Sequence, residues 1–264
     1  MILSLHEDPE VRSRIAAADR LLVFLDFDGT LTPTVNDPAS VRLDERTRDA
    51  LTSLAEARNV HLAILSGRSM DDLRARVGID SVIYGANHGL QINGPGIDFV
   101  DSRALSVRQD LQDLLTRIDP RVPAFRGAWV EAKELTVSVH HRSCTEDDAA
   151  RLREFLLEAL GPFAGRLELT DGKKVFEILP QTFWNKGAAA HWILMRPENY
   201  TALVFSFGDD CTDEHLFRTL PEAITVKIGD GRSTAARYHM DGPEQVCEFL
   251  VWLGHNMPEY PVAA

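Results

Sequence analysis

The sequence has little cysteine, no long hydrophobic run and fewer basic than acidic residues, and each shortage excludes a class of protein. The three cysteines, Cys144, Cys211 and Cys247, are far apart and form no CxxC pair, so neither a disulfide framework nor a zinc site is predicted. No apolar run approaches the roughly 20 residues that a membrane span needs. We therefore expect reduced structural cysteines and no membrane partner.

The charge balance argues against a nucleic-acid partner. The chain carries 28 Lys and Arg against 40 Asp and Glu, a formal net charge of -12, whereas nucleic-acid binding depends largely on basic side chains that meet phosphates. A small anionic substrate remains compatible if local cations and a metal reverse the field in one cleft. Residues 1–14 lack a basic flank followed by an apolar stretch, so we expect a cytoplasmic protein, monomeric by default.

Alternation of short apolar runs with helical patterns predicts an α/β core. The 264 residues are 44% hydrophobic, as in ordinary globular proteins. Leu21 to Leu25 and His61 to Leu65 read as buried strands, and the segment from Leu43 to Leu54 between them has helical periodicity. Strand, helix and strand in succession predict a right-handed parallel, Rossmann-like sheet. Further predicted strands are Ser81 to Tyr84, Thr201 to Phe207 and Ala223 to Ile228.

The pattern between residues 103 and 183 predicts an inserted α+β domain, a cap, after the third strand, with residues 1–102 and 184–264 as the core. One helical stripe runs from Val107 to Ile118, and a second helix runs from Thr145, as its N-terminal cap, to Gly161. Leu135 to Arg142 alternates as a strand does, and Asp171 and Gly172 are predicted to form a hairpin turn.

One face of this inserted sheet is predicted to be polar. It would carry Ser138, His140, Arg142, Lys173 and Glu177, opposite an apolar face. Such a face suits a lid over a polar ligand, and a solvated outer face is an equally good interpretation of the pattern alone.

Two aspartates at the end of the first apolar run are the strongest chemical signal. Asp26 and Asp28 flank Phe27 and precede Gly29 and Thr30. Ligands of open α/β sheets bind at the carboxyl ends of strands, so both carboxylates are expected to face one pocket, and Gly29 lets the chain turn. One carboxylate can attack phosphorus as a nucleophile, and its neighbour can protonate the leaving oxygen.

A carboxylate that attacks a phosphate ester must overcome electrostatic repulsion. Two unit negative charges about 4 Å apart repel by about 4 kcal/mol at an effective dielectric of 20. Mg²⁺, which prefers carboxylates, substrate oxygens and waters, would offset this repulsion. A second acidic cluster also follows an apolar strand and offers further ligands, and it contains Asp209, Asp210, Asp213 and Glu214.

Phosphate also needs cationic and hydroxyl contacts. Ser66, Gly67 and Arg68 follow the second apolar strand, and Lys186 opens a helix that begins near Asn185. A helix N-terminus adds its own positive dipole end. Each of these signals is weak alone and gains its meaning from the aspartates.

The order of these four elements resembles the haloacid dehalogenase superfamily of phosphatases. More narrowly, the chain resembles trehalose-6-phosphate phosphatases from residue 22 to about residue 238. The narrower resemblance rests on GANHG at 85–89, VEAK at 130–133, HHR at 140–142, GKKVFEILP at 172–180, the TDE that closes the acidic cluster, and VKIG at 226–229.

The resemblance implies roles for individual residues. Asp26 would be the nucleophile and Asp28 the general acid and base, with Mg²⁺ held by the carboxylates of Asp26 and Asp209 and the backbone carbonyl of Asp28. Ser66 and Lys186 would hold the phosphoryl group. Supporting roles would fall to Gly29, Thr30, Asp210 and Asp213, and sugar contacts to Arg68, Asn87, His88, Glu131, Lys133, His140, Arg142, Lys173 and Glu177. The cap would close over the cleft during the reaction.

Alternatives to trehalose 6-phosphate hydrolysis remain open at the sequence level. Many relatives carry a basic residue where this chain has Leu179, which favours a different sugar or glycoside phosphate as the main alternative. A phosphomutase would use similar chemistry, and a phosphosugar-binding module without turnover would use none.

Overall fold

A computed structural model describes residues 5–35, 38–230 and 233–256. These residues form twelve strands: β1 Leu21–Leu25, β2 Val60–Leu65, β3 Ile83–Ala86, β4 Gln91–Gly94, β5 Ile97–Val100, β6 Trp129–Ala132, β7 Val137–His140, β8 Leu167–Gly172, β9 Val175–Pro180, β10 Leu203–Gly208, β11 Ile224–Ile228 and β12 Tyr238–Met240. They also form nine α-helices: α1 Pro9–Ala17, α2 Glu45–Glu56, α3 Met70–Val77, α4 Ser102–Ser106, α5 Arg108–Ile118, α6 Glu146–Leu160, α7 Lys186–Leu194, α8 Cys211–Thr219 and α9 Pro243–Asn256.

The chain divides into two compact units. Unit 1 comprises Met1–Phe99 and Asn185–Ala264, and unit 2 comprises Val100–Trp184. The predicted insertion, residues 103–183, lies close to the bounds of unit 2. Between β3 and the insertion, β4 and β5, which the sequence analysis did not name, extend the sheet of unit 1. These two strands are short and partly exposed, so they lack the continuous apolar run that marks a buried strand.

Unit 1 contains the predicted parallel α/β sheet. Its eight strands lie in the order β12-β11-β10-β1-β2-β3-β4-β5, with parallel pairing from β12 to β3. Every residue of the central strand β1 is buried, as expected for a strand covered on both faces. Each large apolar side chain removed from water here stabilises the fold by about 1.5–3 kcal/mol.

The third predicted strand, Ser81 to Tyr84, begins and ends two residues later in the structure, at Ile83–Ala86. Its extension through Gly85 was missed because glycine is a poor strand former. Here the neighbouring Leu65 side chain covers Gly85 so closely that a Cβ on the glycine would lie 2.3 Å from Leu65 Cδ2. Because β3 ends at Ala86, Asn87 and His88 lie directly at its carboxyl end.

Unit 2 is an antiparallel four-stranded sheet, in the order β6-β7-β9-β8, with helices on one face. Alternate residues such as Val137, Val139 and Phe176 join α5 and α6 in one apolar core. The predicted cap of α6 is confirmed, because Thr145 Oγ1 accepts the Asp148 N–H at 3.1 Å.

The predicted hairpin turn at Asp171 and Gly172 is wrong. Those two residues still pair with Phe176 and Val175, so the turn consists of Lys173 and Lys174. Lys174 adopts a φ of 65°, the left-handed conformation that the turn needs. Lys173 consequently lies at the hairpin end instead of on the polar face of the strand.

Two structural findings bear on the shortages seen in the sequence. No disulfide joins the three cysteines in the described residues, where Cys144 is half-buried, Cys211 exposed and Cys247 buried. Across residues 5–35, 38–230 and 233–256, none of the helices combines the length and apolar composition that crossing a bilayer requires.

Candidate active site

Ionisable side chains of unit 1 lie close together at the carboxyl ends of the parallel strands. Asp26 follows β1, and its backbone N–H donates to the carbonyl of Phe207 in β10 at 3.0 Å, which locks the two strand ends together. Asp209 and Asp210 follow β10 directly, and α8 begins at the next residue. Parallel pairing therefore brings the two acidic clusters of the sequence to one edge of the sheet.

A buried lysine connects the first aspartate to the second cluster. Lys186 Nζ donates to Asp26 Oδ1 at 2.6 Å and to Asp213 Oδ1 at 2.9 Å. The Lys186 side chain is 2% exposed, and those of Asp26 and Asp213 are 7% and 2% exposed. Lys186 is the first residue of α7, whose N-cap Asn185 accepts the Ala188 N–H. Helix geometry and ion pairs thus fix the ammonium at the end of β1.

Burial and mutual charge together shift the pKa values of these three residues. Burial raises the pKa of Asp26 well above its usual range, and the charges of Asp213 and Asp209 raise it further against the opposing effect of Lys186. Burial also raises the pKa of Asp213 to about 7. Lys186 is the reverse case: burial opposes its charge, but Asp213 and Asp26 raise its pKa well above normal. The lysine is therefore charged at neutral pH.

The carboxylates beside Lys186 fit a divalent cation. Ligand oxygens of Asp26, Asp209 and Asp213 all lie within 4.8 Å of one another. When ionised, these three groups leave two negative charges that one ammonium does not compensate, and hard carboxylate oxygens are the donors that Mg²⁺ prefers. The acidic residues that the structure brings together thus have the charge, the chemistry and the spacing to hold such an ion.

Asp213 is already engaged on both oxygens. Its Oδ2 accepts the backbone N–H groups of Asp209 at 3.0 Å and Asp210 at 3.1 Å, while Oδ1 faces Lys186. Asp210 in turn caps α8 by accepting the Thr212 and Asp213 N–H groups. Burial opposes ionisation of Asp210, but Lys186 and Thr212 outweigh it and lower its pKa to about 2. This network fixes the loop that carries Asp209.

Gly29 makes room for Asp209. Its φ is +90°, in the region that favours glycine, and a Cβ there would lie 2.2 Å from Asp209 Oδ2. The same loop is closed by a hydrogen bond from Gly29 N–H to the Thr32 carbonyl at 2.7 Å, with Thr30 fully buried inside it. The absence of a side chain at residue 29 is therefore a requirement of the acidic cluster.

For the phosphatase reaction that the sequence leads us to expect, Gly29→Ala should lower kcat/KM by about 100-fold or more. The added Cβ would displace Asp209, and a shift of about 1 Å in a group needed for catalysis has an effect of that size. Gly96→Ala is the matched control: Gly96 also has a positive φ, +68°, but no atom of the described part of the chain lies within 4 Å of its added Cβ. Both variants should lose about 1–2 kcal/mol of unfolding free energy from backbone strain. Phosphate-release kinetics and thermal melts check this, and equal activities would contradict a steric role for residue 29.

Asp28 is held by an arginine instead of by the acidic cluster. Arg68 Nε and Nη2 donate to the two Asp28 oxygens at 2.7 and 2.6 Å, and Arg68 Nη1 donates to Asp72 at 2.6 Å. Arg76, one turn further along α3, donates a hydrogen bond from Nε to Asp72 Oδ2 at 2.8 Å. Arg68, predicted as a sugar contact, thus lies in a bidentate ion pair with the predicted acid and base.

The loop after β2, which begins with Ser66, and the loop after β3, which contains Asn87, His88 and Gly89, pack on each other and on α7. Ser66 is buried, its Oγ accepts the Arg68 N–H at 3.2 Å, and its carbonyl accepts the His88 N–H at 2.9 Å. Asn87 and His88 both have positive φ, 49° and 60°, an arrangement that occurs at functional sites. A Cβ on Gly89 would lie 2.6 Å from that of Ala189 in α7. The loops therefore meet at the helix that starts with Lys186.

Unit 2 places a second polar group of predicted residues on the sheet face opposite its helices. His140 Nε2 lies 2.8 Å from Glu131 Oε2, Ser138 Oγ donates to Glu177 Oε2 at 2.7 Å, and Lys133 Nζ lies 3.9 Å from the same Glu177 oxygen. Burial favours the neutral acid, but the hydrogen bond from His140 and the charge of Lys133 outweigh it and lower the pKa of Glu131.

The remaining predicted contacts of unit 2 lie apart from that group. Arg142 Nη2 donates to the carbonyl of Lys173 at 3.1 Å, so both residues mark the end of the β8–β9 hairpin. The polar face therefore centres on Glu131, Lys133, His140 and Glu177.

The motifs and their geometry agree with comparisons to known proteins. The Trehalose-phosphatase family model matches residues 24–243. The chain belongs to the trehalose-phosphatase family. A trehalose-phosphate phosphatase of Mycobacterium bovis is 31% identical to it over 270 residues, which cover 97% of this chain and 68% of that protein. The resemblance drawn from the motifs is confirmed.

Solved structures support the fold of this family member. The C-terminal domain of C. albicans trehalose-6-phosphate phosphatase superposes with a TM-score of 0.80 at 24% identity and covers 94% of this chain and 96% of its own. A structure described as a trehalose-6-phosphate phosphatase related protein gives a TM-score of 0.79 at 25% identity, covering 89% and 97%. The predicted α/β core with an α+β insertion is therefore the fold of the family.

Sequence reasoning missed Lys227 and Asp72. Lys227 Nζ donates to the backbone carbonyl of Asp209 at 2.7 Å and lies 4.0 Å from Glu214 Oε1. Lys227 is the single charged residue of strand β11, and this was the available signal, because such a residue needs a partner when buried. For Asp72 the available signal was its spacing of four residues from both Arg68 and Arg76, which favours ion pairs.

Proposed function

We propose that this trehalose-phosphatase family member hydrolyses trehalose 6-phosphate to trehalose and phosphate through an aspartyl-phosphate on Asp26, with Mg²⁺ as cofactor. One observation carries the proposal: Lys186 lies 2.6 Å from Asp26 within a group of carboxylates whose oxygens lie within 4.8 Å of one another. Such a site suits transfer of a dianionic phosphoryl group to a carboxylate. It has no evident use in a protein that only binds sugars.

In the first half-reaction, an Asp26 carboxylate oxygen attacks phosphorus and the bond from phosphorus to the sugar oxygen breaks. Asp28 gives its proton to that oxygen, so trehalose leaves neutral. Because Arg68 holds both Asp28 oxygens, Asp28 must exchange this arginine for the leaving oxygen. Ser66 and Lys186 are proposed to hold the phosphoryl oxygens. The positive charge of Lys186 stabilises these oxygens while the phosphoryl group moves from the sugar oxygen to Asp26.

In the second half-reaction, water attacks the phosphorus of the aspartyl-phosphate. Asp28 takes the water's proton, the bond from phosphorus to Asp26 breaks, and phosphate leaves. Mg²⁺, when bound by Asp26, Asp209 and the Asp28 carbonyl, would offset the repulsion between the carboxylate and the phosphate. The side chains of Asp213 and Lys227 would keep the Asp209 loop in place for this purpose.

Unit 2 is proposed to recognise the sugar. Ionised carboxylates only accept hydrogen bonds and lysine only donates them, so Glu131, Glu177 and Lys133 together match sugar hydroxyls, which do both. Trehalose 6-phosphate as the substrate rests on the family to which the chain belongs. Leu179, at which many relatives are expected to carry a basic residue, lies on the same strand face as Glu177 and pairs across the strands with Glu168, so it adjoins this group.

A substrate panel tests the proposal. We expect kcat/KM for trehalose 6-phosphate to exceed that for glucose 6-phosphate and sucrose 6-phosphate by about 100-fold, since a site built to pair hydroxyls rejects ligands that leave them unpaired. Chelation should reduce release to background, and added Mg²⁺ should restore it. Preference for a monosaccharide phosphate would overturn the substrate, and isomerised sugar phosphate in place of inorganic phosphate would identify a mutase.

A further inference from the structure

Trp129 is an exposed aromatic residue on the polar face of the unit 2 sheet. Its side chain is 44% exposed. It pairs across the strands with His140, two residues from Glu131 on the same face of β6. The other exposed large hydrophobic side chains in the described part of unit 2 are Leu105 on α4, Leu157 on α6 and Phe183, which follows β9. Trp129 therefore differs from them in lying among the polar residues proposed to recognise sugar.

The indole ring is fixed in orientation. It stacks on the His140 imidazole with ring centroids 3.9 Å apart and an interplanar angle of 13°. His140 is itself held by Glu131 at 2.8 Å. Among the residues that the structure describes, β6 is the edge strand of this sheet, so no further strand of it lies on the side of Trp129 away from His140. The result is a rigid, partly exposed aromatic surface beside a carboxylate whose position is set.

We propose that Trp129 is a specificity-determining residue that packs against a pyranose ring of the substrate, an inference that rests on the proposed function. A pyranose has apolar C–H faces and a rim of hydroxyls, so it matches an aromatic plane that adjoins hydrogen-bonding groups. Residues two apart on a strand are about 7 Å apart. A sugar ring that reaches Glu131 through a hydroxyl can therefore lie against the Trp129 indole.

The stacking of Trp129 on His140 should increase the affinity for a sugar ring. An aromatic side chain already held in place loses little conformational freedom when a ligand binds, so more of its contact energy appears as affinity. Trp129 would bind the glycosyl part of the substrate equally in the ground state and the transition state. Its loss should therefore raise KM and leave kcat unchanged.

The test compares three substitutions of Trp129 with trehalose 6-phosphate and with acetyl phosphate, which has no sugar ring. We expect Trp129→Ala and Trp129→Leu to raise KM for trehalose 6-phosphate about tenfold, with kcat nearly unchanged, and Trp129→Phe to stay within about threefold of wild type. Turnover of acetyl phosphate should not change in any variant. Leu157→Ala, at a side chain 46% exposed on α6, is the control for general loss of exposed apolar surface.

The outcomes separate the inference from the function on which it rests. If Trp129→Leu had the wild-type KM for trehalose 6-phosphate, the proposed aromatic contact would be overturned. If the Trp129 variants lost as much activity on acetyl phosphate as on trehalose 6-phosphate, the role of Trp129 would be merely structural. Either result would leave trehalose 6-phosphate hydrolysis standing. Absence of phosphate release from trehalose 6-phosphate by the wild-type protein would overturn both. Thermal melts of every variant establish that the loss does not come from unfolding.

Discussion

Replacing Asp26 with asparagine is expected to lower phosphate release by about 10⁴-fold or more, because a neutral amide cannot replace the attacking carboxylate. The substitution keeps the size of the side chain and an oxygen that can accept the 2.6 Å hydrogen bond from Lys186. The loss should therefore appear in kcat, with the fold intact. Phosphate-release assays on trehalose 6-phosphate measure it.

The stability of the same variant gives an independent check. Burial and neighbouring acids raise the pKa of Asp26 in the folded protein. A carboxyl with a raised folded pKa lowers stability once the pH exceeds its unfolded value of about 3.9. Without metal at neutral pH, Asp26→Asn should therefore melt no lower than wild type, and Mg²⁺ should stabilise it less than wild type.

An exposed aspartate on α2, Asp49, supplies the control for Asp26. Asp49→Asn should retain wild-type turnover and the full stabilisation by Mg²⁺. Substantial turnover by Asp26→Asn, with the control unchanged, would remove Asp26 from the chemistry.

Replacing Lys186 with methionine is expected to damage both folding and catalysis. The side chain is 2% exposed and is the shared partner of Asp26 and Asp213. Removing one member of a buried ion pair typically costs about 3–5 kcal/mol because a charge stays buried without compensation. That loss corresponds to roughly 10 °C in the melting temperature of a domain of this size. Loss of the positive charge beside the phosphoryl group should lower kcat by about 10³-fold or more.

The double variant Lys186→Met, Asp213→Asn separates the two effects. It removes one buried carboxylate together with the ammonium, so most of the lost stability should return, while activity should stay as low as in Lys186→Met. A double-mutant cycle from thermal melts would then show a coupling energy above about 1 kcal/mol. Recovery of activity along with stability would mean that Lys186 acts only by holding the structure together.

The parts of the site that follow strand ends could be predicted from the sequence. Apolar runs before Asp26, Ser66 and Asp209 predict buried parallel strands, and parallel pairing leaves all their carboxyl ends at one edge. The cap of α6 at Thr145 could be predicted for a similar reason, because it depends on residues close in sequence. The family resemblance added roles for these residues that spacing alone does not assign.

The partners of charged side chains could not be predicted in the same way. Arg68 follows a strand end as expected, but its pairing with Asp28, forty residues away, depends on how the loop after β2 packs beside the loop after β1. The hairpin of unit 2 shows the same limit, since the two-residue shift of its turn is set by pairing of Gly172 with Val175. Strand register and ion-pair choice are tertiary properties, which local sequence patterns do not encode.

The most direct test of the account is to trap the protein in acid during turnover of trehalose 6-phosphate and locate any phosphoryl group by mass spectrometry. The account predicts one phosphoryl group on Asp26, formed with Mg²⁺, lost on chelation and absent from Asp26→Asn. Rapid release of phosphate by a protein that carries no phosphoryl group at any quench time, or carries it on another residue, would contradict the covalent mechanism.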